Sequence, residues 1–302
     1  MFKQLGVIGC GLIGGSFALA LKHAGLAQRV VGYSRTPSTL AQALALGAID
    51  ASADSAAATA AGCDIVLVAV PVAATEATLK AIRPALEPGV LLMDAGSTKR
   101  DVVDAARRAL RDRIDCFVPA HPIAGKESSG IEHAEAMLFD ERQVILTPLP
   151  QTNAALLQAA REVWQRIGAQ VQTMGAEQHD ATFAAVSHLP HLLAFAYFSA
   201  VINQPGGRDF LALAGPGFRD FTRIAASDPA VWRDILSANR EEVLKQSQRF
   251  RTTLDALELV MRSGNAAALE DLIRGASELR GRWQIGQSGP PAAAPPPAPE
   301  TD

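Results

Sequence analysis

The segment that most constrains the fold is an apolar run near the N-terminus that ends in a cluster of glycines. Residues 4–9 suit a buried parallel strand, whereas residues 15–23 have the apolar spacing of a helix. Between these stretches, Gly9, Gly11 and Gly14 match the Gly-x-Gly-x-x-Gly fingerprint of dinucleotide-binding domains. The strand before the glycines and the helix after them favour a dinucleotide site over a bare tight turn.

Each glycine has its own purpose in this motif. Gly9 permits the tight turn, Gly11 lets the backbone approach a pyrophosphate, and Gly14 allows the helix to pack closely on the strand. The start of the helix directs unpaired N–H groups and partial positive charge at the phosphates. Leu12 and Ile13, which begin the helix, are therefore also predicted to bind the cofactor.

A second strand leads to the position where dinucleotide-binding domains bind the adenosine ribose. It spans about residues 29–33 and is followed by Ser34, Arg35 and Thr36. NAD-specific sites place a carboxylate about 20 residues beyond the glycines, but here a guanidinium lies between two hydroxyls, as a 2′-phosphate requires. We therefore predict that NADP is favoured, with NAD possible if Arg35 is only a solvated surface residue. Two further predicted cofactor residues, at the end of the third predicted strand, are Val70 and Pro71.

Strand and helix signals alternate through the first half of the chain, which indicates a doubly wound, mostly parallel α/β sheet. After Gly175 the strand signals stop and long amphipathic stretches follow. We predict a Rossmann domain over 1–175, an all-helical substrate and dimerisation domain over 176–284, and a disordered Pro/Ala-rich tail over 285–302. The later predicted strands run at about 64–71, 90–94, 116–119, 143–147 and 169–173.

Two loops at the carboxyl ends of predicted strands carry candidate catalytic residues, and open α/β sheets bind their ligands at that edge. Ser97 lies in the loop over 94–99 and His121 in the loop over 119–127. An imidazole that titrates near neutral pH can accept a proton from a substrate hydroxyl as hydride leaves the same carbon. Ser97 can hydrogen-bond that imidazole or the substrate. The alternative is that His121 only caps a turn.

The helical half supplies further candidates. His188 and His191 lie three residues apart, but no cysteine or clear carboxylate cluster completes a metal site, so we predict no metal. Arg219 and Arg223 lie one helical turn apart and are candidate clamps for substrate carboxylates. Exposed ion pairs with neighbouring aspartates such as Asp220 are the alternative.

Composition limits the class of protein. The 302 residues are 48% hydrophobic and carry a net charge of −3, so we expect a large core and no nucleic-acid or anionic-membrane partner. Cys10, Cys63 and Cys116 lack metal-ligand spacing and suit free thiols in a reducing compartment. We expect no signal peptide and no apolar segment long enough to cross a bilayer. The predicted location is cytoplasmic.

Five segments together resemble one enzyme family, over about residues 1–283. The glycine loop occurs in many dehydrogenases, whereas His-Pro-Ile-Ala-Gly, His-Leu-Pro-His and Asp-Phe-Thr-Arg are more specific. In this combination the chain resembles the prephenate/arogenate (cyclohexadienyl) dehydrogenases of tyrosine biosynthesis. The five segments lie at residues 9–16, 94–99, 121–125, 187–191 and 217–225.

The resemblance implies oxidative decarboxylation of prephenate to 4-hydroxyphenylpyruvate, with hydride leaving the ring carbon C4, or the corresponding conversion of arogenate to tyrosine. It implies that His121 takes the proton of the reacting hydroxyl and that Ser97 orients it. Arg223 would hold a substrate carboxylate, with His188 and His191 lining the pocket.

The resemblance also implies that Glu127 and Asp220 gate the pocket or balance its charge, whereas the role of Lys126 stays open. Similar enzymes form homodimers through the helical domain and are often inhibited by tyrosine, which would compete for the same pocket. We expect neither a fused chorismate mutase segment nor a regulatory domain, so such feedback would act at the active site.

Two other functions are weighed against this one. A 3-hydroxyacid dehydrogenase would carry Gly-x-x-x-Lys-x-x-x-Asn on the first long helix of its second domain, where this chain has Ser-His-Leu-Pro-His over 187–191. A regulator that senses a dinucleotide would show no turnover and would not need His121 at a strand end.

Overall fold

The computed structural model describes residues 1–125 and 129–284. The expected elements are matched closely at the first strand and helix, where the apolar spacing is clearest. The strands are β1 Phe2–Ile8, β2 Ala27–Tyr33, β3 Ala51–Ser52, β4 Ile65–Val68, β5 Leu91–Asp94, β6 Phe117–Val118, β7 Ala120–Pro122, β8 Gln143–Leu146 and β9 Gln170–Thr173. The α-helices are α1 Leu12–His23, α2 Pro37–Ala45, α3 Ala56–Ala60, α4 Thr75–Ile82, α5 Arg100–Leu110, α6 Ala154–Arg166, α7 Ala176–Phe183, α8 Leu189–Asn203, α9 Gly207–Phe210, α10 Pro216–Thr222, α11 Pro229–Ala238, α12 Arg240–Ser263 and α13 Ala266–Arg282.

The larger sheet has six parallel strands in the order β3-β2-β1-β4-β5-β6. β1 is central and pairs with β2 and with β4, so Ile8 lies opposite both Tyr33 and Val68. Alternate residues of β4 are buried in two different cores, Ile65 in one and Val66 in the other, because helices cover both faces. The predicted doubly wound α/β fold is confirmed, and the strand order reverses between β1 and β4, where such sheets bind ligands.

A second, smaller sheet holds the strands that follow. Its order is β7-β8-β9, with β7 antiparallel and β9 parallel to β8. We expected the strands predicted at 143–147 and 169–173 to extend the large sheet, but they belong to this second sheet. His121 lies within β7, opposite Ile145, and not in a loop. The reason is Pro119: it has no N–H to donate to the ladder, so β6 ends at Val118 and the chain turns into β7.

The helical half begins with two helices, α7 and α8, that are joined without a loop. α7 passes through a π-helical segment, Ala184–His188, into α8, where Pro190 occupies the first turn and its missing N–H costs nothing. Within the combined stretch Ala176–Asn203, a window of 18 residues has a mean hydropathy of 1.5, so the stretch is long and apolar enough, by length and composition, to cross a membrane. The expectation that no segment is long enough is therefore wrong. Leu189 and Ala194 are the buried residues of α8.

Contacts within the chain divide it into two compact units. The first, Met1–Gln246, contains both sheets and every residue of the candidate site described below. The second starts at Ser247 and contains the rest of α12 and all of α13, whose first turn is capped by the side chain of Asn265. The predicted domain boundary after residue 175 stays a prediction. Lys126, Glu127 and the predicted tail over 285–302 lie outside the described residues.

Candidate active site

The glycine turn between β1 and α1 leaves open space at one position. Gly9 has φ +100°, and a Cβ there would lie 2.2 Å from the carbonyl oxygen of Ala69. A Cβ on Gly14 would lie 2.0 Å from the carbonyl oxygen of Gly9. A Cβ on Gly11, in contrast, would meet no described atom within 4 Å. Gly9 and Gly14 are thus required by the packing of the chain itself, whereas Gly11 keeps the surface above the turn free for a ligand.

The start of α1 fits a pyrophosphate. Gly11 is its N-cap, and no side chain of the described residues accepts a hydrogen bond from its first turn, which also has no acidic residue. The N–H groups of Leu12 and Ile13 therefore remain available to an anion. Half-buried Val70 and exposed Pro71 follow β4 at the same edge of the sheet. These residues fit the diphosphate of a dinucleotide cofactor.

The predicted ribose-binding residues lie directly beside this turn. The backbone N–H of Gly9 donates to the carbonyl of Tyr33 at 2.8 Å, and Ser34, Arg35 and Thr36 come next in the chain. The backbone N–H of Thr36 donates to the hydroxyl of Ser34 at 3.4 Å. Arg35 is exposed at the end of β2. This exposed cation can reach a ligand that extends along the sheet edge from the glycine turn.

A buried ion pair ties the loop that carries Ser97 to the strand that carries His121. The ammonium of Lys99 lies 2.5 Å from a carboxylate oxygen of Asp94, and both side chains are buried. Lys99 Nζ also donates to the carbonyl of Ala120 at 2.7 Å, and the N–H of Ala120 donates to Asp94 at 3.0 Å. These bonds fix the residue before His121. Ser97 is half-buried in the same loop.

His121 belongs to a buried chain of titratable side chains that was not predicted from the sequence. Its Nδ1 lies 2.8 Å from Nε2 of His179, whose own Nδ1 lies 2.8 Å from a carboxylate oxygen of Asp180. The ring of Phe183 packs against both imidazoles, with centroids 5.0 and 4.5 Å away. Burial holds the pKa of His121 well below its ordinary value, and the nearby charge of Lys99 adds to this effect. His121 is therefore a neutral imidazole near pH 7.

Asp180 anchors the far end of this chain. Its two carboxylate oxygens accept hydrogen bonds from the backbone N–H groups of Lys99, at 2.8 Å, and Arg100, at 2.9 Å. Burial alone would raise the pKa of Asp180, but the bonds from His179 and from these N–H groups lower it below its ordinary value. Burial lowers the pKa of His179, and the neighbouring carboxylate partly offsets that effect. Asp180 is therefore an ionised hydrogen-bond acceptor.

The two histidines of the His-Leu-Pro-His segment have different surroundings. His188 is buried, its Nδ1 lies 3.0 Å from the amide nitrogen of Asn239, and burial lowers its pKa to about 4. His191 is half-buried and stacks on Trp232 with ring centroids 3.5 Å apart. Its Nδ1 bonds to the carbonyl of Ser187 at 2.9 Å.

The predicted carboxylate clamps are exposed in this chain. Arg219 lies on α10, and its Nε is 3.1 Å from a carboxylate oxygen of Asp220, with both side chains more than two-thirds exposed at 76% and 68%. This is the surface ion pair that we weighed as the alternative. Arg223 is also exposed and begins the 3-10 turn Arg223–Ala226 after α10, so the two arginines do not share one α-helix.

Two family models match most of the chain. The model described as "Prephenate dehydrogenase, nucleotide-binding domain" matches residues 17–173, and "Prephenate dehydrogenase, dimerization domain" matches residues 175–275. The prephenate dehydrogenase of Bacillus subtilis is 33% identical over 287 residues, which are 93% of this chain and 76% of that protein.

Solved structures agree with these matches. The crystal structure of prephenate dehydrogenase from Aquifex aeolicus in complex with hydroxyphenyl propionate and NAD+ is 33% identical, with a TM-score of 0.87 over 93% of this chain and 98% of that one. The structure of Synechocystis arogenate dehydrogenase is 27% identical, with a TM-score of 0.78 over 92% of this chain and 99% of that one.

The dimerization-domain match includes α8 and accounts for its apolar surface, because a partner chain can cover what this chain leaves exposed. The nucleotide-binding match includes β2 and the predicted ribose-binding residues that follow it. Both the predicted resemblance and the predicted enzyme class are confirmed by these findings. The chain belongs to the prephenate dehydrogenase family, and it is an oxidoreductase with a nucleotide-binding domain and a dimerization domain.

Proposed function

We propose that this chain oxidises prephenate to 4-hydroxyphenylpyruvate with loss of carbon dioxide, with arogenate as the alternative substrate. The observation that carries the proposal is the neutral, buried imidazole of His121, held between His179 and the Lys99 ion pair on one side of the ligand-binding edge of the sheet. When an alcohol is oxidised to a carbonyl, the carbon loses hydride and the oxygen loses its proton. A neutral imidazole can accept that proton.

The side chains divide the work of this reaction. His121 accepts the proton of the ring hydroxyl while hydride leaves C4, and the ring carboxylate then departs as carbon dioxide. A nicotinamide cofactor, when bound at the glycine turn, supplies the hydride acceptor. Ser97 hydrogen-bonds the reacting hydroxyl and orients it. Burial by Phe183 excludes water from the imidazole, which keeps it neutral and ready to accept the proton.

The charged substrate is held from the helical half. Arg223 holds a substrate carboxylate and Arg219 offers a second cation, while Asp220 and Glu127 balance the charge. The pocket is lined by His188 and His191. We place the enzyme in the cytoplasm as a homodimer, with tyrosine as a competitor for the same pocket.

NADP is the favoured cofactor in this proposal, and NAD is the alternative. The exposed Arg35, flanked by the hydroxyls of Ser34 and Thr36, suits a 2′-phosphate. A charge-assisted hydrogen bond contributes about 1.5–3 kcal/mol, which is about 10–150-fold in affinity. The relative from Aquifex aeolicus was solved with NAD+, which supports the alternative.

The first experiment compares NADP with NAD in reactions with prephenate and with arogenate, followed by absorbance of the reduced nicotinamide. Arg35→Ala should lower the preference for NADP by about 10–150-fold. The matched control is Arg29→Ala, an exposed arginine in β2, the strand that leads to the proposed ribose-binding residues. Equal rates with both cofactors in the unaltered enzyme would refute the role of Arg35, and no reduction with either substrate would refute the proposed reaction.

The role of His121 is tested separately. His121→Asn should lower kcat by about 10²–10⁴-fold, since it removes the general base, and should leave the dissociation constant of the cofactor unchanged. His23→Asn is the matched control, because His23 is an exposed histidine at the end of α1. A His121→Asn variant that retains its kcat would contradict the assignment.

A further inference from the structure

The proposed reaction uses His121 but leaves two buried neighbours without a role. His179 and Asp180 both belong to α7, and both are at most 1% exposed. They continue a line of hydrogen bonds from Nδ1 of His121, with 2.8 Å at each of the two steps. Such a line of hydrogen bonds determines which nitrogen of His121 carries a proton.

The position of each proton along this line of hydrogen bonds follows from Asp180, the residue furthest from the substrate. Both oxygens of Asp180 accept backbone N–H groups, those of Lys99 and Arg100, so this carboxylate is an acceptor. The nitrogen of His179 that faces it, Nδ1, must then carry the proton. Nε2 of a neutral His179 is consequently an acceptor, and Nδ1 of His121 must donate to it. This leaves Nε2 of His121 without a proton.

The surroundings also decide where a second proton is best held. His121 faces the ammonium of Lys99 from the Asp94–Lys99 loop, the imidazole of His188 from the π-helical segment and the apolar ring of Phe183 from α7, and none of these stabilises a cation. His179 is also close to Lys99, but it contacts the carboxylate of Asp180 directly. A positive charge is therefore better accommodated on His179 than on His121.

We propose that His179 and Asp180 are positioning residues that fix the tautomer of His121 and draw the substrate proton away from it. This rests on the proposed function. As the O–H bond of the substrate breaks, a bond forms from its proton to Nε2 of His121. The Nδ1–H bond of His121 then breaks and Nε2 of His179 gains that proton, so an imidazolium forms beside the carboxylate of Asp180. No proton is created or lost, and the substrate's electrons leave only with the hydride.

Two substitutions separate this role from a structural one. Asp180→Asn can place an amide nitrogen where the oxygen facing Nδ1 of His179 stands. That nitrogen donates to His179, which reverses every donor along the line and places a proton on Nε2 of His121, and it gives up the bond from the N–H of Lys99, which uses the same oxygen. In the serine-protease triad, the corresponding change lowers kcat by about 10⁴-fold. His179→Gln offers an amide oxygen that accepts from His121, so the tautomer is kept and only the transfer of the proton is lost.

We therefore expect kcat to fall by about 10²–10⁴-fold in Asp180→Asn and by about 10-fold in His179→Gln, with KM little changed in both. Asp101→Asn is the matched control: it removes a half-buried carboxylate from the first turn of α5, and its kcat should stay within about twofold of the unaltered enzyme. Equal losses in the two relay variants, or losses confined to KM, would overturn the proposal.

A direct measurement on the unaltered protein covers the case in which Asp180→Asn does not fold. Nitrogen NMR shifts of the imidazole distinguish a protonated from an unprotonated ring nitrogen, so they report the tautomer of His121 in the dimer without substrate. The proposal requires a proton on Nδ1 and none on Nε2, and the opposite tautomer would overturn it. Because this measurement needs no turnover, it stands apart from failure of the proposed reaction, which the unaltered enzyme would show by reducing neither cofactor.

Discussion

Replacing Lys99 by methionine should destabilise the protein more than any exposed substitution, because Lys99 balances a buried charge. Its side chain is 0% exposed and its ammonium contacts the carboxylate of Asp94 and the carbonyl of Ala120. Lys99→Met leaves Asp94 buried with only backbone N–H donors, those of Gly96 and Ala120. Removing one partner of a buried ion pair costs about 3–5 kcal/mol in the free energy of unfolding.

Adding Asp94→Asn to Lys99→Met should recover much of the lost stability. In the double variant Lys99→Met/Asp94→Asn no uncompensated charge remains, and replacing both members of a buried pair is often close to neutral. The expected cost is therefore below that of Lys99→Met alone. The control is Lys80→Met, since Lys80 is 58% exposed and its ion pair with Glu76 contributes about 0–1 kcal/mol.

The assay is urea unfolding followed by circular dichroism, with all variants at one protein concentration because a dimer's stability depends on concentration. The reasoning predicts a large loss in Lys99→Met, a smaller one in the double variant and almost none in Lys80→Met. A Lys99→Met variant within about 1 kcal/mol of the unaltered protein would refute it. So would a double variant whose loss equals the sum of the two single losses.

Three further predictions concern the glycine turn, acid stability and a helix cap. Gly14→Ala should lower both stability and cofactor affinity, because its Cβ would overlap the carbonyl of Gly9, whereas Gly11→Ala should lower cofactor affinity alone; thermal melting and cofactor titration distinguish the two. Burial lowers the pKa of His188 from 6.5 to about 4, so the unfolded state takes up a proton that the folded state excludes. The contribution of neutral His188 to the free energy of unfolding is therefore fully present above pH 6.5, and up to about 3 kcal/mol of it is lost as the pH drops to 4. In His188→Gln, the urea midpoint should fall less steeply over this pH range. Asn153→Ala removes the side chain that caps α6 and should cost about 0.5–2 kcal/mol in urea unfolding.

The large sheet was predictable because its signals are local. β1, β4 and β5 are apolar runs bounded by glycine or proline, and the glycine turn defines both its strand and its helix. The short elements β3, α2 and α3 were not predicted, because this alanine-rich stretch has little contrast between polar and apolar positions. Its strand signal is also only two residues long.

The partners of His121 were not predictable by the same reasoning. His179 lies 58 residues further along the chain, and Asp180 reaches backbone groups 81 and 80 residues before it. The sequence offered one signal, a histidine followed directly by an aspartate at the start of a helix. Lys99 was overlooked for a related reason: lysine is among the residue types least often buried, so only the structure shows that it is an internal counterion.

Asp180 connects the chemistry of this site to its architecture. The same carboxylate that bonds His179 accepts the N–H groups of Lys99 and Arg100 at the start of α5, and Lys99 in turn fixes the residue before His121. One residue of α7 thus sets both the proton on the base and the position of the loop that carries Ser97. In Asp180→Asn the amide nitrogen that donates to His179 takes the place of the oxygen that accepts from Lys99, so the inverted proton order comes with the loss of that one loop bond, whereas the remaining oxygen still accepts from Arg100. His179→Gln leaves both backbone bonds of Asp180 in place, so the two variants together separate the proton on the base from the position of the loop.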